Sequence, residues 1–194
     1  MLSELIAFDE ATFRFINQQL ASPLLDSLMM FVSSRYTWAI VGLFFVLFAC
    51  VRKRRTLLPL CLMMALTIGL SDFMTYQVLK PAFARDRPCR QFQDIHLVPE
   101  FCGGDHGFPS NHAANGMAVT VLLALNSNAW VAVTALLLTT LIGFSRVYLG
   151  VHFPGDVLAG FLCGALFGLI SHVLIKVLSK FIDRLIRGRR LNQL

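Results

Sequence analysis

The sequence predicts an all-α, polytopic membrane bundle of about five to six transmembrane helices, and three observations lead there. Of its 194 residues, 56% are hydrophobic and only 14% charged, with a mean hydropathy of +0.67; a water-soluble domain needs far more polar surface. The apolar residues fall in runs near the roughly 20-residue length that crosses a bilayer. The basic residues behind the net charge of +6 flank those runs, in "VRKRR" at 51–55 and "KVLSKFIDRLIRGRR" at 176–190. That placement marks cytoplasmic loops and argues against a nucleic-acid partner.

Along the chain, residues 1–34 read as an N-terminal amphipathic, interfacial helical region: Leu5, Ile6, Phe8, Phe13, Phe15 and Ile16 alternate with Glu4, Asp9, Glu10 and Arg14. With acids in its short apolar stretch and no basic start, this segment does not read as a cleavable signal. After Pro23, "LLDSLMMFVSS" is about a third short of a full span and carries Asp26. Residues 35–180 form the transmembrane bundle, with spans at 36–51, 57–79, 112–126, 130–149 and 154–178, and 181–194 form a basic tail.

Parity then sorts the loops. With 52–55 and 176–190 on the inner side, 80–111 and 145–156 both face outward. Five spans result if the N-terminal region stays on the outer surface, and six if residues 20–34 cross.

Three polar clusters share that outer face: "KPAFARDRP" with Lys80, Arg85 and Arg87; "PSNH" with Ser110, Asn111 and His112; and "SRVYLGVHFPGD" with Arg146, His152 and Asp156. Each has a structural explanation by itself, such as snorkelling cations, a helix cap or a salt bridge. As a set they complement one another. Lys80, Arg87 and Arg146 are cations suited to phosphate oxygens, and Ser110 with the first amides of the next helix adds neutral donors. Pro154 starts a helix, so Asp156 in its first turn reaches back to His152. A carboxylate on one ring nitrogen sets the tautomer and makes the other nitrogen a better nucleophile or base, leaving His112 as the acid for a departing oxygen.

The ordered spacing Lys80–x6–Arg87–Pro88, Pro109–Ser110–x–His112 and Ser145–Arg146–x5–His152–x3–Asp156 resembles the three-part signature of the type 2 phosphatidic acid phosphatase (PAP2) superfamily, whose site is related to that of vanadium haloperoxidases. The resemblance covers residues 57–178. One departure is Asn111, where members commonly carry glycine; the backbone N–H survives the change, while the side chain could crowd the site. The resemblance implies a PAP2/haloperoxidase-like helical core without metal or cofactor. It also implies that Lys80, Arg87, Ser110, Asn111 and Arg146 bind phosphate and His152, oriented by Asp156, attacks to form a phosphohistidine. His112 then protonates the leaving group. The nucleophile assignment comes from the resemblance, since the spacing alone leaves it open.

The function these residues and the resemblance imply is that of a lipid phosphatase of a bacterial inner membrane, its active site on the periplasmic face and its substrate a membrane lipid phosphate. Undecaprenyl diphosphate is the first choice, with lipid A 1-phosphate and phosphatidylglycerophosphate as alternatives. A phosphotransferase would use the same residues. An anionic-lipid transporter is the rival of another class, but it calls for broken helices and inverted repeats at the midplane, and none is legible. In the outer loop, Cys89 and Cys102 could be bridged or could join His96 and His106 around zinc; an oxidising compartment and unfamiliar zinc spacing favour the disulfide. Asp72 reads as a functional intramembrane acid or a bundle hydrogen bond, Tyr148 as a pocket or aromatic-belt residue, and His172 as structural. The oligomeric state is left open.

Overall fold

The computed structural model describes residues 1–51, 57–98 and 102–191, with residues 2, 49, 57, 58 and 182–191 as backbone only; the basic run at 52–55 lies outside the described residues. Helix α1 (Leu2–Arg14) carries Glu4 in its first turn and Arg14 in its last, matching the helix dipole, and runs into a π-helical turn at Phe15–Gln19. Helix α2 (Pro23–Ser33) starts with proline after Ser22, whose Oγ accepts from the Leu25 N–H. Extended backbone at Ser34 separates it from α3 (Arg35–Val51).

Helix α4 (Leu57–Phe73) continues through a π-helical turn at Met74–Leu79 into the short α5 (Lys80–Phe83). Ala84 then stops the run in the left-handed region at φ 46°. After α6 (Pro88–Gln91) a loop held by a Cys89–Cys102 disulfide, with 5.8 Å between Cα atoms, leads to α7 (Asn111–Asn126). Helix α8 (Ala129–Tyr148) is capped by Asn128, whose side chain accepts from the Val131 N–H, and α9 (Pro154–Leu191) closes the chain.

Among the described residues, three helical stretches are long and apolar enough to cross a membrane: Pro59–Phe83, Ala129–Tyr148 and Pro154–Phe181. The pair Pro23–Ser33 and Arg35–Phe48, bent by 51°, makes a fourth if it is one crossing. Helix α7, with 16 residues, is about 24 Å long against a hydrocarbon core of about 30 Å. Its isolation from lipid explains how so short and polar a helix is stable. It packs on α4, α8 and above all α9, and Ala113, Ala114, Ala118 and Leu122 are fully buried.

The α7–α9 crossing is closed by small residues. Gly160, Gly164 and Gly168 lie at four-residue spacing on α9, and a Cβ at each would come within 2.7, 2.2 and 2.7 Å of the Ser110, Ala114 and Ala118 carbonyl oxygens. Without side chains the two backbones approach directly, as small-residue stripes permit in membranes. A buried apolar cluster lies at one end of the bundle, where Phe13 of α1 meets Ala113, Val147, Phe153 and Val157. Met29 of α2 joins Tyr148, Leu149 and Val151 beside it.

Candidate active site

Parallel α7 and α9, with α8 antiparallel to both, bring the N-terminus of α7, the C-terminus of α8 and the N-terminus of α9 to that same end, where Arg87 and Gly104 also lie. His152 sits in the turn between α8 and α9 and is 2% exposed. Its N–H is anchored on the Arg146 carbonyl at 3.2 Å. On one side of the ring, Nδ1 is 3.4 Å from Asp156 Oδ2; on the other, Nε2 is 3.3 Å from Arg87 Nη1. A guanidinium can only donate, so Nε2 is the acceptor and the proton sits on Nδ1, toward the carboxylate. Burial first, then the positive charges of Arg87, Arg146 and Lys80, hold the His152 pKa well below the ordinary histidine value. The ring is therefore neutral, with its Nε2 lone pair facing the cations.

Asp156 is fully buried. Its Oδ2 also accepts the Phe153 N–H at 3.0 Å, the hydrogen bond that starts α9. Lys80 and Arg87 donate to backbone carbonyls, neutral acceptors that carry no formal charge of their own. Lys80 Nζ donates to the His106 and Gly107 carbonyls at 2.9 and 3.2 Å. Arg87 donates through Nε to Gly104 at 2.8 Å and through Nη1 to Val151 at 3.2 Å. The loop makes room with glycine: Gly103 turns at φ 83° against the Arg87 guanidinium, and a Cβ on Gly107 would lie 3.0 Å from Asp156 Oδ2.

Ser110 precedes α7 after a cis Phe108–Pro109 bond. Its N–H donates to the Asp156 carbonyl at 3.0 Å, tying the second cluster to the third. Ser110 Oγ and Arg146 Nε are buried without a hydrogen-bond partner among the described residues. Buried polar groups of this kind are costly unless a ligand or water completes them. Arg146 spends Nη1 on Ser33 Oγ. His112, at the second position of α7, reaches the Ser33 backbone and lies within electrostatic range of Arg146, His152 and Arg87. All eight residues singled out in the sequence as catalytic or phosphate-binding thus gather at one end of the bundle.

Asn111 resolves its own crowding. Its side-chain amide turns away to Asp72 Oδ1 on α4 at 2.9 Å, and Asn115 one turn later donates to the same oxygen at 3.1 Å. Asp72 is therefore a hydrogen-bonded strut between α4 and α7. Other residues left open in the sequence also find partners. The fully buried Tyr148 donates to Asp26 Oδ1 at 2.6 Å, which His96 Nε2 meets at 2.8 Å, while His172 pairs with Asn126 at 3.1 Å. Among the described residues no His, Cys, Asp and Glu grouping could hold a metal ion.

Two contacts are not legible in the sequence. Ser33 has no signal beyond polarity before a helix break. Arg85 is expected to pair with Asp86 or a headgroup; instead its fork joins Asp156 Oδ1 at 2.9 Å to Asp9 Oδ2 at 2.7 Å.

Comparison with known proteins places the chain in a family. The family model of the PAP2 superfamily matches residues 56–180. An undecaprenyl-diphosphatase of Sulfolobus acidocaldarius is 32% identical over 170 residues, 86% of this chain and 78% of that protein. A lipid A 4'-phosphatase of Porphyromonas gingivalis is 30% identical over 160 residues, 80% of this chain and 66% of that protein. Among solved structures, Aquifex aeolicus LpxE superposes with a TM-score of 0.66 at 30% identity, covering 83% of this chain and 92% of that one. With its helical fold, its membrane-length helices and a family match across most of the bundle, the chain belongs to the PAP2 superfamily and is a multi-pass membrane phosphatase.

Proposed function

We propose that the chain dephosphorylates a membrane lipid through a phosphohistidine, with undecaprenyl diphosphate as the leading substrate. The observation that carries the mechanism is the buried, neutral His152, with Nδ1 turned to Asp156 and Nε2 turned to the cations. The phosphoryl oxygens lie among Lys80, Arg87, Arg146, Ser110 Oγ and the Asn111 N–H, which stabilise the charge that develops in transfer. His152 Nε2 attacks phosphorus in line while the bond to the leaving lipid oxygen breaks, and His112 gives that oxygen a proton. Water then attacks the phosphohistidine, His112 takes its proton, and phosphate leaves with His152 restored. These residues suffice without a metal.

The substrate choice draws on the Sulfolobus relative, and the lipid A phosphatase relatives support a lipid A phosphate as the alternative. The site faces the periplasmic side of the inner membrane in this reading, because the basic segments at 51–55 and 176–190 lie at the opposite ends of their spans. The test is phosphate release by purified protein in detergent with chelator, comparing undecaprenyl diphosphate, lipid A and phosphatidylglycerophosphate. Release from one lipid, abolished by His152→Ala, supports the reading. Release untouched by that substitution, or lost to the chelator, overturns the mechanism; preference for another lipid overturns the substrate.

A further inference from the structure

From the N-terminal helix we infer that Asp9 and Arg85 are positioning residues for phosphoryl transfer, acting on His152 through Asp156. This deepens the phosphatase reading and rests on it. Asp156 has two oxygens with different tasks: Oδ2 faces His152 Nδ1 and the Phe153 N–H, and Oδ1 accepts Arg85 Nη1 at 2.9 Å. A fully buried carboxylate held only through Oδ2 could rotate and lose the imidazole. The Arg85 fork prevents this, lying over Phe153 with its carbon 4.3 Å from the ring centroid.

Arg85 is in turn fixed by Asp9. Its Nη2 donates to Asp9 Oδ2 at 2.7 Å, while Asp9 Oδ1 accepts the Gly155 N–H at 2.7 Å, inside the first turn of α9. Asp9 thus holds the arginine and the helix start that carries Asp156 in one geometry. The fit is close on both sides, since a Cβ on Gly155 would come within 2.9 Å of Asp9 Oδ2. The pair is also partly shielded, with side chains 28% and 15% exposed for Arg85 and Asp9. The charge balance matters as much as the geometry. Asp9 offsets Arg85, so that Arg85 orients Asp156 without drawing its charge away from the imidazole. In the proposed mechanism neither residue reaches the phosphoryl group.

The test is kinetic, with purified full-length protein, the preferred lipid, and inorganic phosphate as a competitive inhibitor. Asp9→Asn should lower kcat about tenfold, leaving KM and the phosphate inhibition constant within about twofold. Asp9→Glu should recover most of the loss. In an Asp156→Asn background, adding Asp9→Asn should change kcat by less than about twofold, because its route to His152 is already cut. If Asp9→Asn does not fold, Arg85→Lys takes its place in the same comparison, keeping the charge and giving up the fork. Unchanged kcat, a loss carried by KM, or a full additional loss in the Asp156→Asn background each overturns the inference. Wild-type protein that releases no phosphate from any of the lipids overturns the phosphatase reading instead, before the variants are compared.

Discussion

Helices α3 and α7 have nearly the same length, 17 and 16 residues, and opposite relations to their surroundings. Helix α3 is almost wholly apolar, yet Ile40, Leu43 and Phe44 are 68%, 58% and 62% exposed. Helix α7 carries asparagines, a histidine, a glycine and a threonine, and it forms the centre of the bundle. In water this would be inverted. In lipid, apolar side chains gain little from leaving the solvent, so they remain outside. Helices associate through small residues that let backbones approach and through polar groups that need partners. Thr120 and Thr139 illustrate this, with their hydroxyls hydrogen-bonded at 2.9 Å between α7 and α8. Along the α7 crossings, burial favours small size and hydrogen-bonding capacity, and the candidate site lies at the end of those helices.

That contrast can be broken in several ways. The largest effect is expected at the head of α7: His112→Ala should lower kcat by about 10²–10⁴-fold, the usual contribution of a positioned acid. Single-turnover kinetics would check it, and a wild-type rate would remove His112 from the mechanism. Next comes the α7–α9 crossing. Gly164→Val places side-chain atoms where a Cβ alone meets the Ala114 carbonyl at 2.2 Å. The helices must separate, with a stability loss of about 1–3 kcal/mol or more, together with activity, because Ser110 and Asp156 ride on the two helices. Thermal unfolding in detergent measures it.

A subtler effect is expected in pH dependence. With His152 held well below the ordinary histidine value by burial and by Arg87, Arg146 and Lys80, it stays unprotonated from alkaline pH down through about 6.5. Its contribution to the acid limb of kcat/KM should therefore fall below about 6.5. Arg87→Gln removes one of the depressing charges, so the residual activity should lose its acid side at a higher pH. An acid limb shifted downward would contradict that electrostatic picture. The smallest effect belongs to α3: Leu43→Ala, on a lipid-facing side chain, should change stability by less than about 0.5 kcal/mol. A loss comparable to that of Gly164→Val would mean that α3 is covered by protein.

Much of this is legible in the sequence because it is short-range. Apolar run lengths mark the helices, Pro154 announces the start of α9, and Ser110 stands just before α7 where free amide groups collect. Parity alone puts Lys80, Ser110, His112, Arg146 and His152 at one end of the bundle. The spacing of Gly160, Gly164 and Gly168 is equally visible, but what it packs against is not, since a small-residue stripe names no partner. Tertiary structure alone decided which distant charges meet. Arg85 bypasses its neighbour Asp86 for Asp9, 76 residues away, and Asn111 turns to Asp72 across a helix interface. Such choices depend on which backbones approach within a few ångströms, a property of the packed bundle that no local stretch of sequence contains.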